Sequence, residues 1–130
     1  MSSSNSKLLN LSEKYPFFKK IYLFYNIYIR NFKFYFSDRT QMGEEKKLLT
    51  YFKKNYKGRY VDLGCFHPTR HNNTFDFYKK GWEGINIDLN PITIDLFNFM
   101  RPKDINICAA ISNSTQAKKI YFLGALSSQN

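Results

Sequence analysis

Two short runs carry the residues best suited to chemistry: Val61-Asp62-Leu63-Gly64, and Asn86-Ile87-Asp88-Leu89-Asn90-Pro91, with Asp88 24 residues after Gly64. Asp62 stands near the end of an apolar segment, where a carboxylate holds loop amides or a ligand ammonium. Gly64 has no side chain, so backbone there approaches a ligand closely. Asp88 closes a second apolar segment. A carboxylate in that position suits the vicinal hydroxyls of a ribose, because it accepts both O–H bonds at once. Asn90 follows as a further polar contact. Each residue also has a plain structural role open to it, since Asp and Asn at strand ends brace loops and cap helices.

The loop between the two runs narrows the choice of cofactor. A dinucleotide calls for G-x-G-x-x-G, with its pyrophosphate on a helix N-terminus. Here the loop reads Gly64-Cys65-Phe66-His67-Pro68-Thr69, with a single glycine, and Arg70 is its one nearby cation. S-adenosylmethionine has no phosphate and carries a sulfonium and an ammonium. It needs carboxylates and a permissive loop, which Asp62, Gly64 and Asp88 supply. Cys65, His67 and His71 form C-x-H-x3-H, but no fourth ligand is evident and no metal is expected. Loop position makes His67 or His71 a candidate general base, with loop hydrogen bonding as the plainer role. Trp82, after Gly81 and before a strand, reads as a core plug, with stacking on a ligand as the alternative. No catalytic residue is assigned.

These residues need elements to position them. The pattern predicts a strand over Tyr60–Leu63 and a short helix over Thr74–Lys80, capped by Asn72 or Asn73 and stopped by Gly81. A second strand follows over Gly84–Asp88. Pro91 starts a helix with Leu96, Phe97 and Met100 on its apolar side, ending at Arg101-Pro102. Asp104–Ile111 reads as a third strand of the continuous apolar kind, buried on both faces of a parallel sheet. Lys118–Leu123 reads as a fourth strand. Alternating strands and helices indicate an α/β fold. In such a sheet ligands bind beyond the carboxyl ends of the strands, where Asp62, Gly64 and Asp88 converge.

Upstream, Gln41–Tyr56 is the clearest helix, with Leu48, Leu49 and Phe52 on its apolar face and Lys53-Lys54 in its last turn. Gly58 is expected to end it. Ser37–Thr40 is a polar break, and the domain boundary is placed there: residues 1–40 form an aromatic, basic N-terminal extension and residues 41–130 the main domain. Ser12 is the expected cap of a helix over 17–30, with 31–36 irregular or extended. The longest apolar stretch, Ile21–Ile29, is half the ~20 residues that a membrane-spanning helix needs.

At 130 residues the length fits one domain. The net charge of +10 is uneven: residues 1–58 hold 12 Lys and Arg against 4 Asp and Glu, residues 59–130 hold 8 against 6. The basic character therefore belongs to the N-terminal part, away from the motif. That argues against specific nucleic-acid recognition. It leaves either a compositional bias or contact of residues 15–36 with an anionic membrane face or another polyanion. The two cysteines form no CxxC and the start is not a secretory signal, so a reducing cytoplasmic setting is the default expectation.

QMGEEKKLLTYF, YVDLGCFHPTRHNNTFDFYKKGWEGINIDLNP and RPKDINICAAIS together resemble the FkbM family of S-adenosylmethionine-dependent methyltransferases, over roughly residues 41–123. The resemblance implies a class I methyltransferase, Rossmann-like, parallel sheet with flanking helices. It implies O-methylation of a sugar or small-molecule hydroxyl, with S-adenosylmethionine as the cofactor. By the same resemblance Asp62 and Gly64 match the first cofactor motif and Asp88 the ribose-binding acid. Asn73 and Thr74 match an SNT-like segment, and Ala110 and Ile111 flank the adenine. The family's more general glycine-rich loop is replaced by Cys65-Phe66-His67-Pro68. A class I sheet has more strands than the four counted here. The chain is therefore expected to be the cofactor-binding half of an incomplete domain, with an unpaired sheet edge that favours self-association. An inactive fragment, and a basic aromatic module for membranes or polyanions, are the alternatives.

Overall fold

A computed structural model of the chain describes residue 11, residues 14–36 and residues 44–113. The expected cap at Ser12, the break at 37–40 and the strand over Lys118–Leu123 lie outside the described residues. Leu23–Ile111 forms a compact unit of its own. In chain order the elements are α1 (Pro16–Phe24), a π-helical turn (Tyr25–Arg30), α2 (Lys33–Phe36), α3 (Glu44–Thr50), β1 (Arg59–Leu63), α4 (Phe75–Lys79), β2 (Glu83–Asp88), α5 (Pro91–Met100) and β3 (Ile105–Cys108). Among the described residues no helix is long and apolar enough to cross a membrane.

The segment over 17–30 is helical as expected, but its last six residues wind as a π-helix, and Lys33–Phe36 is helical instead of irregular or extended. Two asparagines explain the wide turn. Asn31 Nδ2 donates to the main-chain oxygen of Asn26 at 2.8 Å and to its Oδ1 at 3.0 Å, and Asn31 N–H donates to the same carbonyl at 3.2 Å. Five residues is the hydrogen-bond spacing of a π-helix, so the side chain reinforces it. Leu23, Asn26, Ile27 and Asn31 are buried along this stretch.

The helix expected over Gln41–Tyr56 is shorter: among the described residues it covers Glu44–Thr50. Thr50 Oγ1 donates back to Lys47 O at 2.7 Å. Beyond it, the rings of Phe52 and Tyr56 stand edge-on to Trp82 at 4.8 and 5.4 Å, and this packing overrides the helical pattern. Trp82 is buried and its Nε1–H donates to Tyr56 O at 3.0 Å. Gly58 therefore does not end a helix. It lies flat on the Trp82 ring, where a Cβ would stand 2.5 Å from Cζ3.

The three strands form one parallel sheet in the order β1-β2-β3, which establishes an α/β fold. The register aligns Val61 with Ile85 and Ile105, and Leu63 with Ile87 and Ile107. Side chains alternate between faces, so these six aliphatic residues share one face. Tyr60, Asp62, Asn86, Asp88 and Asn106 point to the other. Helices α4 and α5 pack on that second, polar face, and Arg101 lies between them, with Phe75 of α4 and Phe97 of α5 both against its guanidinium. The third strand consequently departs from expectation. It spans Ile105–Cys108 rather than Asp104–Ile111. It is also not buried on both faces, since Ile105 and Ile107 are 59% and 39% exposed.

Candidate functional site

The loop after β1 is tied to the end of β2 by main-chain bonds. Gly64 N–H and Cys65 N–H both donate to Ile87 O, at 2.8 and 3.3 Å. Gly64 has a φ of 71°, and nothing lies within 4 Å of where its Cβ would be. That left-handed backbone favours glycine, and the open space beside it faces outward from the carboxyl edge of the sheet. Phe66 and His71 are also left-handed, with φ of 57° and 47°, a conformation that costs energy when a Cβ is present. Phe66 is held there from both sides: its N–H donates to Asp88 Oδ2 at 3.0 Å, and its carbonyl accepts from Thr93 Oγ1 at 3.1 Å.

Asp88 thus braces the loop. Its Oδ1 also accepts Asn90 N–H at 2.8 Å. Asn90 in turn caps α5, accepting Ile92 N–H at 3.0 Å with Pro91 as the first helical residue. Ala109 N–H donates to Asp88 O at 3.0 Å, which brings the exposed Ala110 and Ile111 to the same edge. The structure therefore gathers Gly64, Asp88, Asn90, Ala110 and Ile111 along the carboxyl ends of the strands. Asp62 and Thr74 belong to a different group, beneath the polar face. Asp62 Oδ2 accepts from Asn72 Nδ2 at 3.2 Å and from Thr74 Oγ1 at 3.0 Å. Thr74, rather than Asn72 or Asn73, is the residue at the N-cap of α4; Asn72 Oδ1 accepts Thr74 N–H at 3.0 Å, and Asn73 is exposed.

Arg101 organises that second group. Its guanidinium is fully buried. Nη1 donates to Thr74 Oγ1 at 2.9 Å and to Tyr60 Oη at 3.4 Å; Nη2 donates to Asn72 Oδ1 at 2.8 Å and to Pro68 O. The rings of Phe97, Tyr78 and Phe75 lie 4.9, 5.2 and 5.4 Å from it. Its charge is balanced through two hydroxyls. Thr74 passes on a hydrogen bond to Asp62, and Tyr60 donates to Asp104 Oδ2 at 2.6 Å. Asp104 also accepts from Gly84 N–H at 2.9 Å and from Asn86 Nδ2 at 3.0 Å. Burial lowers the Arg101 pKa, with Tyr60, Asp104 and Asp62 opposing. Burial raises that of Tyr60 above the ordinary phenol value, so its hydroxyl stays protonated and keeps donating to Asp104.

Neither Cys65 nor His67 has the environment of a reactive group. Cys65 packs against Ile94 and Phe97, and burial, helped by the nearby Asp62 and Asp88, pushes its thiol pKa up to about 12. His67 Nδ1 accepts N–H bonds from Thr69 and Arg70, both at 3.1 Å. Its proton therefore sits on Nε2, which donates to Asn26 Oδ1 at 2.9 Å. Burial, with Arg70 and Arg101 adding to it, lowers its pKa to about 3. With both nitrogens engaged, His67 fastens the loop to the π-helical turn and has no lone pair to take a substrate proton. Among the described residues no three His, Cys, Asp or Glu side chains converge to hold a metal ion.

Sequence reasoning missed Arg101, Asp104 and Asn72. In the sequence Arg101-Pro102 reads only as the end of a helix, in keeping with the backbone: proline disfavours helical conformation in the residue before it, and Arg101 sits at φ −122°, ψ 64°. No local signal marks its burial. A shallow cleft of about 520 Å³ opens at the opposite, amino end of β1 and β2, between Tyr56, Lys57, Arg59 and Glu83; it shares no residue with the carboxyl edge. No protein-family model matches the chain, and no curated protein or solved structure matches it.

Proposed function

We propose that the chain binds S-adenosylmethionine at the carboxyl edge of β1 and β2, as the cofactor-binding part of a Rossmann-like methyltransferase of the FkbM type. The observation that carries this reading is the pairing of Gly64 and Asp88 across adjacent strand ends. The open, left-handed backbone at Gly64 leaves room for a ligand. Each Asp88 oxygen accepts one main-chain N–H, which leaves a lone pair on each for the two hydroxyls of a ribose. The bracing also fixes the carboxylate before a ligand arrives, so little ordering is lost on binding. Ala110 and Ile111 supply apolar surface beside Asp88 for an adenine.

The cofactor supplies a methyl group on a sulfonium. The protein's contribution is alignment of that methyl with an acceptor oxygen, on a sugar or another small hydroxyl compound. Asp62 supports this edge indirectly, through Asn72, Thr74 and Arg101. Isothermal titration of the full chain with S-adenosylmethionine should give saturable binding, and Asp88→Ala should abolish it. A folded, cooperatively melting wild type that takes up no heat on titration, or an Asp88→Ala variant of equal affinity, removes the reading.

A further inference from the structure

From Lys14 to Ser37 the sequence carries five cations and no acid. Within the compact unit that begins at Leu23, this run forms the π-helical turn and α2. Its buried positions are Leu23, Asn26, Ile27 and Asn31. Its outward positions are aromatic at a spacing of four: Phe24, Tyr28, Phe32 and Phe36, exposed by 51%, 37%, 56% and 74%. Phe24 contacts Tyr28 and Phe32 contacts Phe36, with ring centroids 5.1 Å apart in both pairs. Single apolar residues on a surface are ordinary, but two contacting pairs of large exposed rings along one ridge of the chain mark an interaction surface.

The rim of the ridge decides what it fits. Arg30 and Lys33 come from the same run, and Arg70 from the loop after β1. Among the described residues none of the three is in an ion pair. Arg70 lies over the Phe66 ring at 4.9 Å, and Lys33 over that of Phe34 at 5.0 Å. Arg30 is close enough to Arg70 to add to the effect of burial in lowering its pKa. Cations gathered with no acid paired to them among the described residues call for an anionic neighbour. A second copy of the chain would bring the same cations and a net charge of +10 against them. An anionic bilayer brings the complement, and its interface also accepts aromatic rings.

We propose that the ridge from Phe24 to Phe36 docks the protein on an anionic lipid surface, with its aromatic rings at the headgroup boundary and Arg30, Lys33 and Arg70 on lipid phosphates. The inference does not rest on cofactor binding. The full chain should co-sediment with phosphatidylcholine vesicles that contain phosphatidylserine, and not with phosphatidylcholine alone, and added salt should release it. Arg30→Gln with Lys33→Gln should lower partitioning by roughly tenfold or more. Phe32→Ser with Phe36→Ser should abolish it while leaving the melting temperature near that of the wild type, because both rings are exposed. Three results overturn the proposal: no sedimentation with the serine-containing vesicles, undiminished sedimentation of the phenylalanine double variant, or a wild-type dimer that this variant converts to monomer.

Discussion

His67 is held in one neutral tautomer, and this makes the fold sensitive to acid. Its folded pKa, about 3, lies well below the ordinary value of 6.5. Below pH 6.5 the unfolded chain takes up a proton on this ring and the folded chain does not. Stability from His67 is therefore complete above pH 6.5 and is lost as pH falls from there towards 3, by about 1.4 kcal/mol per pH unit. Urea unfolding at pH 7 and pH 5 should show the loss, and His67→Gln should flatten it; equal pH dependence in the two proteins would mean that another group is responsible. Asp88 teaches a related lesson. Its place at the end of β2 was legible in the sequence, because a strand followed by Asn-Pro is a local signal. Its bond to Asn90 N–H, two residues on, is equally local, but its bond to Phe66 N–H was not legible, since it depends on where a loop more than twenty residues away comes to rest. Arg101 was hidden for the same reason: a charge after an apolar helix reads as solvent-facing, and only the assembled ring of Phe75, Tyr78 and Phe97 makes it the centre of a buried network.

At the scale of elements, β1, β2 and α5 were legible because short apolar runs bounded by Gly64, Gly81 and Pro91 are local signals, whereas β3 was placed but misread as buried on both faces. The failures lie where distant aromatics or asparagines decide the backbone. The helix pattern over 41–56 gives way where Phe52 and Tyr56 meet Trp82. The π-helical turn has no simple hydrophobic period to reveal it; it depends on the bond between Asn31 and Asn26 and on the hydrogen bond from His67 Nε2 to Asn26 Oδ1. Asn31→Ala removes the Nδ2 donor from a buried site that holds the turn open. It should cost about 1–2 kcal/mol and shift the amide resonances of residues 25–31 in an NMR spectrum. A cost within error of zero would show that the wide turn is held by its main chain alone.

For the whole molecule, the decisive feature is a parallel sheet that, among the described residues, is dressed by helices on one side only. Val61, Leu63, Ile85, Ile87, Ile105 and Ile107 form an apolar surface that α4 and α5 do not touch, whereas parallel sheets are ordinarily covered on both faces. The full chain should therefore bind a hydrophobic fluorescent dye in its folded state, and Val61→Thr with Ile105→Thr should reduce the signal; a wild type that leaves the dye dark would show the face to be shielded in solution. The handedness of polypeptide chains says where a cover must come from. Crossovers between parallel strands turn to the right in nearly all proteins. A sheet laid down in the single direction β1, β2, β3 therefore sends each connecting helix to the same side. No sequence change within residues 59–108 that keeps this strand order can clothe the apolar side. A cover has to arrive from other residues of the chain, by reversing the direction of winding beyond β1, or from another molecule.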